Sequence, residues 1–215
     1  MVSSSALAAD FFPQVNRYIE ASLAEFDRIP EDRRKALRKV AGYVREQVES
    51  GRDAQLNFIC THNSRRSHMS QLWAQTAAEH FGIPGVNTYS GGTEATAFNP
   101  RAVAAMQRAG FTVEKSGEGE NPLYQVRNGP AQAPMTAFSK VYFHESNPQE
   151  DFCAVMTCSQ ADESCPIVRG AAYRVAIPYD DPKAFDGTDL EAARYDERCR
   201  QISREMLYLF SQVNT

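Results

Sequence analysis

Residues 55–73 read QLNFICTHNSRRSHMSQLW, and three unlike pieces follow one another within them. LNFIC is a short apolar run suited to a buried strand, and THNSRRS is polar. From there Met69, Leu72, Trp73, Ala77 and Phe81 recur at helical spacing up to Gly82. The next stretch repeats the step: VNTYSGG supplies a second strand, and Asn99-Pro100 offers an N-cap and a first-turn proline to NPRAVAAMQRAG, which stops at Gly110. Further on, CAVMTC and AAYRVAIPY read as strands, and a last helix is expected to open with a capping box from Thr188 to Glu191 and to run to Val213. Strands alternating with helices imply an α/β fold, with a parallel sheet carrying helices on both faces.

Outside this rhythm stand two segments. Residues 10 to 50 read as two helices, the second EDRRKALRKVAGYVREQVES, with Leu37, Val40, Ala41, Val44 and Val48 on one face and Gly51 as its stop. Its alternating charges describe a solvated face rather than a binding patch. Between 114 and 151, Gly117, Gly119, Gly129, Pro122, Pro130, Pro134 and Pro148 break the chain into short pieces such as PLYQV and AFSKVYF, an irregular hairpin-like insertion. The expected organisation is an N-terminal helical extension over 1–52 and one domain over 53–215, interrupted at about 114–151.

With 215 residues, 42% of them hydrophobic, the chain can bury a sizeable core. A formal net charge of -4 excludes the broad basic surface on which non-specific nucleic-acid binding depends, so any anion site is local. MVSSSALAADFFPQ lacks a basic leader and an unbroken apolar stretch, and nothing later reaches membrane-spanning length, which makes the expected location cytoplasmic. Cys60, Cys153, Cys158, Cys165 and Cys199 are then expected to be free thiols, any disulfide being transient.

The chemistry gathers at the first loop. Cys60 ends the strand, five residues separate it from Arg66, and Ser67 follows at the start of a helix. Backbone N–H groups over Thr61, His62, Asn63, Ser64, Arg65 and Arg66 can turn inward, the helix N-terminus adds positive potential, and the Arg66 guanidinium can grip two oxygens of an oxyanion. The same field favours a thiolate on Cys60. Ser67 can donate to that sulfur, and Asn63 can hold the loop by bonds to its backbone. The side chains of His62 and Arg65 are expected to face solvent. No metal or cofactor is expected.

CTHNSRRS resembles the signature loop of the low-molecular-weight tyrosine phosphatases and the thioredoxin-coupled arsenate reductases, two families that share one fold. The resemblance runs from about Asn57 to the C-terminus, leaves the first 50 residues uncovered and implies a four-stranded parallel sheet. Both families place a general acid as Asp-Pro ahead of the last helix; PYDDPKAF puts Asp181 at that position, beside Asp180. Gln71 stands where potassium-binding reductases carry a Glu, although Ser90 remains at the matching strand end.

An oxyanion cradle does not by itself separate a phosphatase from a reductase, because phosphate and arsenate share shape and charge. Reducing arsenic(V) requires two electrons from thiols that end as a disulfide. MTCSQADESCP resembles the redox segment of the reductases, placing Cys158 at a strand end and Cys165 in a polar stretch expected to be mobile. The resemblance implies an arsenate reductase relay through Cys60, Cys158 and Cys165 with thioredoxin as reductant. Cys153 and Cys199 read as small core residues. The alternative is a tyrosine phosphatase acting through a phosphocysteine, weakened because Lys183 and Ala184 stand where those enzymes often carry two tyrosines after Asp-Pro.

Overall fold

The computed structural model describes residues 9–165 and 167–214, with the side chain of Ser164 left out; most of the segment read above for a leader, residues 1–8, lies outside them. In chain order the elements are α1 (Pro13–Leu23), α2 (Glu31–Glu49), β1 (Ala54–Cys60), α3 (Arg66–His80), β2 (Val86–Gly92) and α4 (Pro100–Arg108). There follow β3 (Thr112–Ser116), β4 (Leu123–Arg127), β5 (Met135–Ala137), β6 (Phe152–Met156), α5 (Ser159–Ser164), β7 (Ala171–Ala176) and α6 (Glu191–Ser211). Short 3-10 turns lie at Phe26–Arg28 and Pro182–Phe185.

Four strands form a parallel sheet in the order β2-β1-β6-β7. β1 is interior to it, which is why its sequence is an apolar run rather than an alternation. Its even positions Leu56 and Phe58 join Cys153, Val155 and Val175 in one large cluster with α1, α2, α3, α4 and α6. On the opposite face Ile59, Phe152, Ala154 and Met156 meet Cys158, Ala161 and Val168 in a smaller cluster closed by α5. Helices therefore cover both faces, unequally.

The large cluster also decides where the N-terminal helices lie. Tyr18 stacks on Trp73 at 5.0 Å, Ser22 and Ser203 share a buried hydrogen bond of 2.6 Å, and Arg33 pairs with Glu205 at 2.9 Å. Arg45 donates to the carbonyls of Gln212 and Val213, satisfying acceptors that the end of α6 leaves open. α3, packed against both the sheet and α6, is buried nearly all round, so Ser67, His68, Ser70 and Thr76 lie inside where the spacing alone marks one apolar face.

Two local expectations change. α6 begins at Glu191 with Leu190 as its N-cap; the Thr188 hydroxyl instead donates to Phe185 and accepts from the Leu190 N–H, while the Glu191 carboxylate accepts from the Gly187 N–H. The capping box is displaced because the 3-10 turn just upstream uses Thr188 for its own closure. The insertion is more regular than its punctuation suggests: β3, β4 and β5 make a three-stranded antiparallel sheet, after which 138–142 runs along the end of β2. Among the described residues no helix is long and apolar enough to cross a membrane.

Candidate active site

Cys60 ends β1 and is 4% exposed, at the floor of a small cavity walled by His62, Ser64, Arg65, Arg66 and Asp181. The loop after it is held by its carbonyls. Cys60 O accepts from Thr93 N at 3.1 Å, Thr61 O from Glu94 N at 2.8 Å, and His62 O from the hydroxyls of Thr96 and Ser139 at 3.0 and 2.9 Å. Ser64 O accepts from Asn99 N at 2.9 Å. In a planar trans peptide the C=O and the following N–H point opposite ways, so four outward carbonyls turn the N–H groups of Thr61, His62, Asn63 and Arg65 inward. The cradle is thus imposed from outside the loop.

Close approach at the strand end makes this possible. A Cβ on Gly91 would fall on the backbone of Tyr142, and one on Gly92 would collide with the Glu94 carbonyl and come within 2.8 Å of Asn63 N. The two glycines of YSGG let β2 pass against both the insertion and the oxyanion loop.

Within the loop, Ser67 Oγ lies 3.1 Å from Cys60 Sγ. Asn63, in the left-handed region at φ 44°, donates from Nδ2 to Ser67 Oγ at 2.9 Å and accepts at Oδ1 from the Lys140 N–H at 2.9 Å. Its partners are a hydroxyl and a distant backbone amide rather than the backbone of its own loop.

Arg66 opens α3 with its guanidinium committed: one terminal nitrogen donates to Tyr179 O and the other to Asp181 Oδ2, both at 2.7 Å. Its Nε is buried and unpartnered. Asp181 Oδ1 in turn accepts from Lys183 N at 3.0 Å, an N-cap that fixes the Asp-Pro turn. The expectation that Arg65 faces solvent is wrong. It donates to the Tyr195 hydroxyl at 2.8 Å and pairs with Asp186 at 3.5 Å, and Tyr195 donates to Asp186 at 2.8 Å. Burying a guanidinium requires a full set of partners, and α6 and the turn ahead of it supply them. The loop sequence shows no local sign of this role. His62 is half exposed beside Glu94, and Asp180 points outward, its side chain 96% exposed.

Cys158 follows β6, the strand beside β1, and is 1% exposed. Its sulfur lies 3.5 Å from Thr61 Oγ1 and accepts from Ala161 N at 3.3 Å, so Cys158 is the N-cap of α5. Cys165 is the C-cap of the same helix and is partly exposed. The stretch expected to be mobile is therefore a short helix, fastened by Arg174, which donates to Asp162 and to Cys165 O. Cys153 and Cys199 are buried in the large cluster; burial raises both thiols, Cys199 to about 11.

Beneath the loop, His68 stacks on Phe98 at 4.2 Å; burial, aided by the Lys140 charge, holds its imidazole down to about 3. Burial also lowers Lys140 to about 8. Lys140 lines a cavity of about 320 Å³ with Gln71 and Asn147. Gln71 donates to Thr88 O, and with a neutral amide there and an ammonium nearby this donor set suits a potassium ion poorly.

The sheet order and the cysteine loop define the fold of the low-molecular-weight phosphotyrosine phosphatases. A YwlE arginine phosphatase variant carrying a phosphorylated active-site serine superposes with a TM-score of 0.52 at 16% identity, over 75% of this chain and 96% of that one. In sequence, residues 55–120 match the low molecular weight phosphotyrosine protein phosphatase family. The chain is also 28% identical to an arsenate reductase of Bacillus licheniformis over 157 residues, 73% of this chain and 94% of the relative. An arsenate reductase of Staphylococcus aureus is 28% identical over 137 residues, 64% and 85% of the two chains.

Proposed function

We propose that this protein reduces arsenate to arsenite through a thiol relay of Cys60, Cys158 and Cys165, in the cytoplasm, with a thioredoxin-type dithiol as reductant. Support comes from the similarity to arsenate reductases along most of their length and, above all, from a second buried thiol, Cys158, lying against the residue that follows Cys60. An ester hydrolase has no use for it.

In this reading the N–H groups of the 61–67 loop and the Arg66 guanidinium hold the oxyanion. The Cys60 thiolate forms an S–As bond while one oxygen departs as water, protonated through Asp181. Cys158 attacks Cys60 Sγ; the S–As bond breaks with its electron pair passing to arsenic, and arsenite leaves. Cys165 then attacks Cys158 Sγ, Cys60 departs as thiolate, and the Cys158–Cys165 disulfide is reduced from outside.

The last exchange has a structural requirement. Cys158 and Cys165 cap opposite ends of α5, so seven residues of helical rise set their Cα atoms roughly 10 Å apart, whereas a disulfide needs less than about 7 Å. α5 has to unwind for the bond to close. At six residues it is below the length at which helices hold by themselves, and unwinding frees Cys158 from its cap.

Arsenate turnover coupled to thioredoxin, measured beside aryl phosphate hydrolysis, tests the assignment. Coupled arsenate turnover is the expected dominant activity. Aryl phosphate hydrolysis without arsenate turnover would make the phosphatase reading the correct one.

A further inference from the structure

We propose that the inserted segment sets the direction of the hydrogen bonds that end on Cys60, with Asn121 as the positioning residue. This rests on Cys60 being the nucleophile but not on which oxyanion it attacks.

With Cys60 as the thiolate nucleophile, the chain of bonds has one polarity. A backbone N–H can only donate, so the Lys140 N–H at 2.9 Å requires that Asn63 present its oxygen. The other end of that amide is then NH2, and it donates to Ser67 Oγ at 2.9 Å. A Cys60 thiolate can only accept, so Ser67, whose oxygen takes the Asn63 bond, directs its own proton at Cys60 Sγ, 3.1 Å away. Were the Asn63 amide reversed, two donors would face each other at Lys140, and Ser67 would give its proton to the Asn63 oxygen instead of to sulfur. The Lys140 amide therefore decides whether the nucleophile receives a hydrogen bond.

What keeps that amide in place is an exposed residue that does not itself line the cavity. Asn121, between β3 and β4, donates from Nδ2 to Ser139 O at 2.8 Å and accepts at Oδ1 from Ser139 N at 3.1 Å. Both backbone groups of Ser139 are thus clamped by one side chain. The Ser139 O that accepts from Asn121 belongs to the same peptide unit as the Lys140 N–H, so fixing one orients the other. Ser139 carries the brace onward through its hydroxyl, which donates to His62 O at 2.9 Å and accepts from Thr96 N at 2.7 Å. Lys140 O closes the arrangement by accepting from Gly92 N at 2.8 Å.

Alkylation of Cys60 by iodoacetamide, followed by peptide mapping across pH 5 to 9 in the full-length protein, reads this directly and needs no substrate. Asn121→Ala should slow Cys60 alkylation at neutral pH by about tenfold, the order expected for losing one hydrogen bond to a charged group. The acid limb of its rate profile should move to higher pH. Asn121→Asp, which keeps the bond from Ser139 N and loses the donation to Ser139 O, should fall between. Gln125→Ala, on the same inserted sheet with its side chain bonded to Thr136, should leave the profile unchanged. An unmoved profile in Asn121→Ala would overturn the proposal. If that variant does not fold, an unmoved profile in Asn121→Asp would do the same. Loss of arsenate turnover in the unmutated protein would bear on the proposed reaction and leave this result standing.

Discussion

Arg66 donates to Asp181 Oδ2 at 2.7 Å, so the cation of the oxyanion cradle and the residue assigned as its acid are bonded to each other. With its other terminal nitrogen on Tyr179 O, the guanidinium has only Nε without a partner. In the proposed reaction an entering oxyanion meets the unpartnered Nε–H and competes with Asp181 for the fork. A carboxyl group loosened from Arg66 would lie beside the oxyanion, in reach of the oxygen that the proposed reaction expels. In that reading one event would both bind the oxyanion and free the proposed acid.

Arg66→Lys should accordingly lose more than a positive charge. A single ammonium reproduces neither the fork nor the simultaneous hold on Tyr179 and Asp181. We expect kcat/KM to fall by about 100-fold or more, from about 3 kcal/mol of lost charge-assisted hydrogen bonding. Steady-state kinetics within a few-fold of the unmutated protein would contradict the cradle.

Cys60→Ser should abolish arsenate turnover and any aryl phosphate hydrolysis, because a hydroxyl in the same cradle stays protonated and is a poor nucleophile. The substituted hydroxyl would occupy nearly the same volume against Ser67, so circular dichroism and Tm should stay close to those of the unmutated chain. Retained turnover would remove Cys60 from the chemistry.

Cys158→Ser and Cys165→Ser should separate the two activities. The first leaves the Cys60–arsenic adduct without an internal attacking thiol; the second lets the Cys60–Cys158 disulfide form but not pass outward. Aryl phosphate hydrolysis should survive in both. After one arsenate turnover without reductant, mapping of the unmutated protein should find Cys158 joined to Cys165. Coupled turnover at the unmutated rate in both variants would sink the relay.

His68 predicts an acid sensitivity. Its folded value of about 3 lies below the usual 6.5, so between those values the unfolded chain holds a proton that the folded chain lacks. This contribution to stability is complete above pH 6.5 and is lost as pH falls, by about 1.4 kcal/mol for each pH unit. Denaturant unfolding from pH 7 to 4 should show a shallower decline in His68→Phe than in the unmutated chain. Equal slopes would show that the imidazole does not stay neutral when folded.

The sequence by itself determined the parts whose physics is local. The apolar run of β1, the polar loop of Cys60 and Arg66, the Asn99-Pro100 start of α4 and the YSGG strand end each carry their signal within a few neighbouring residues. They stand where that signal puts them. The Asp-Pro turn at Asp181 is legible for the same reason, since its side chain caps its own following N–H.

Only the tertiary structure decided which distant groups complete the site. Ser139 and Lys140 reach the 61–67 loop, with Asn121 behind them, because the end of β2 carries glycines small enough for two backbones to pass. Arg65 is turned inward, its side chain 11% exposed, because Tyr195 and Asp186, 130 and 121 positions away, converge on it. Cys158 and Cys165 lie on a helix because buried Ala161 and the Arg174 side chain hold that turn, against the polar composition of the segment. Such contacts leave no trace in local composition: each depends on the whole sheet having closed and on the donors and acceptors that its packing removes from water.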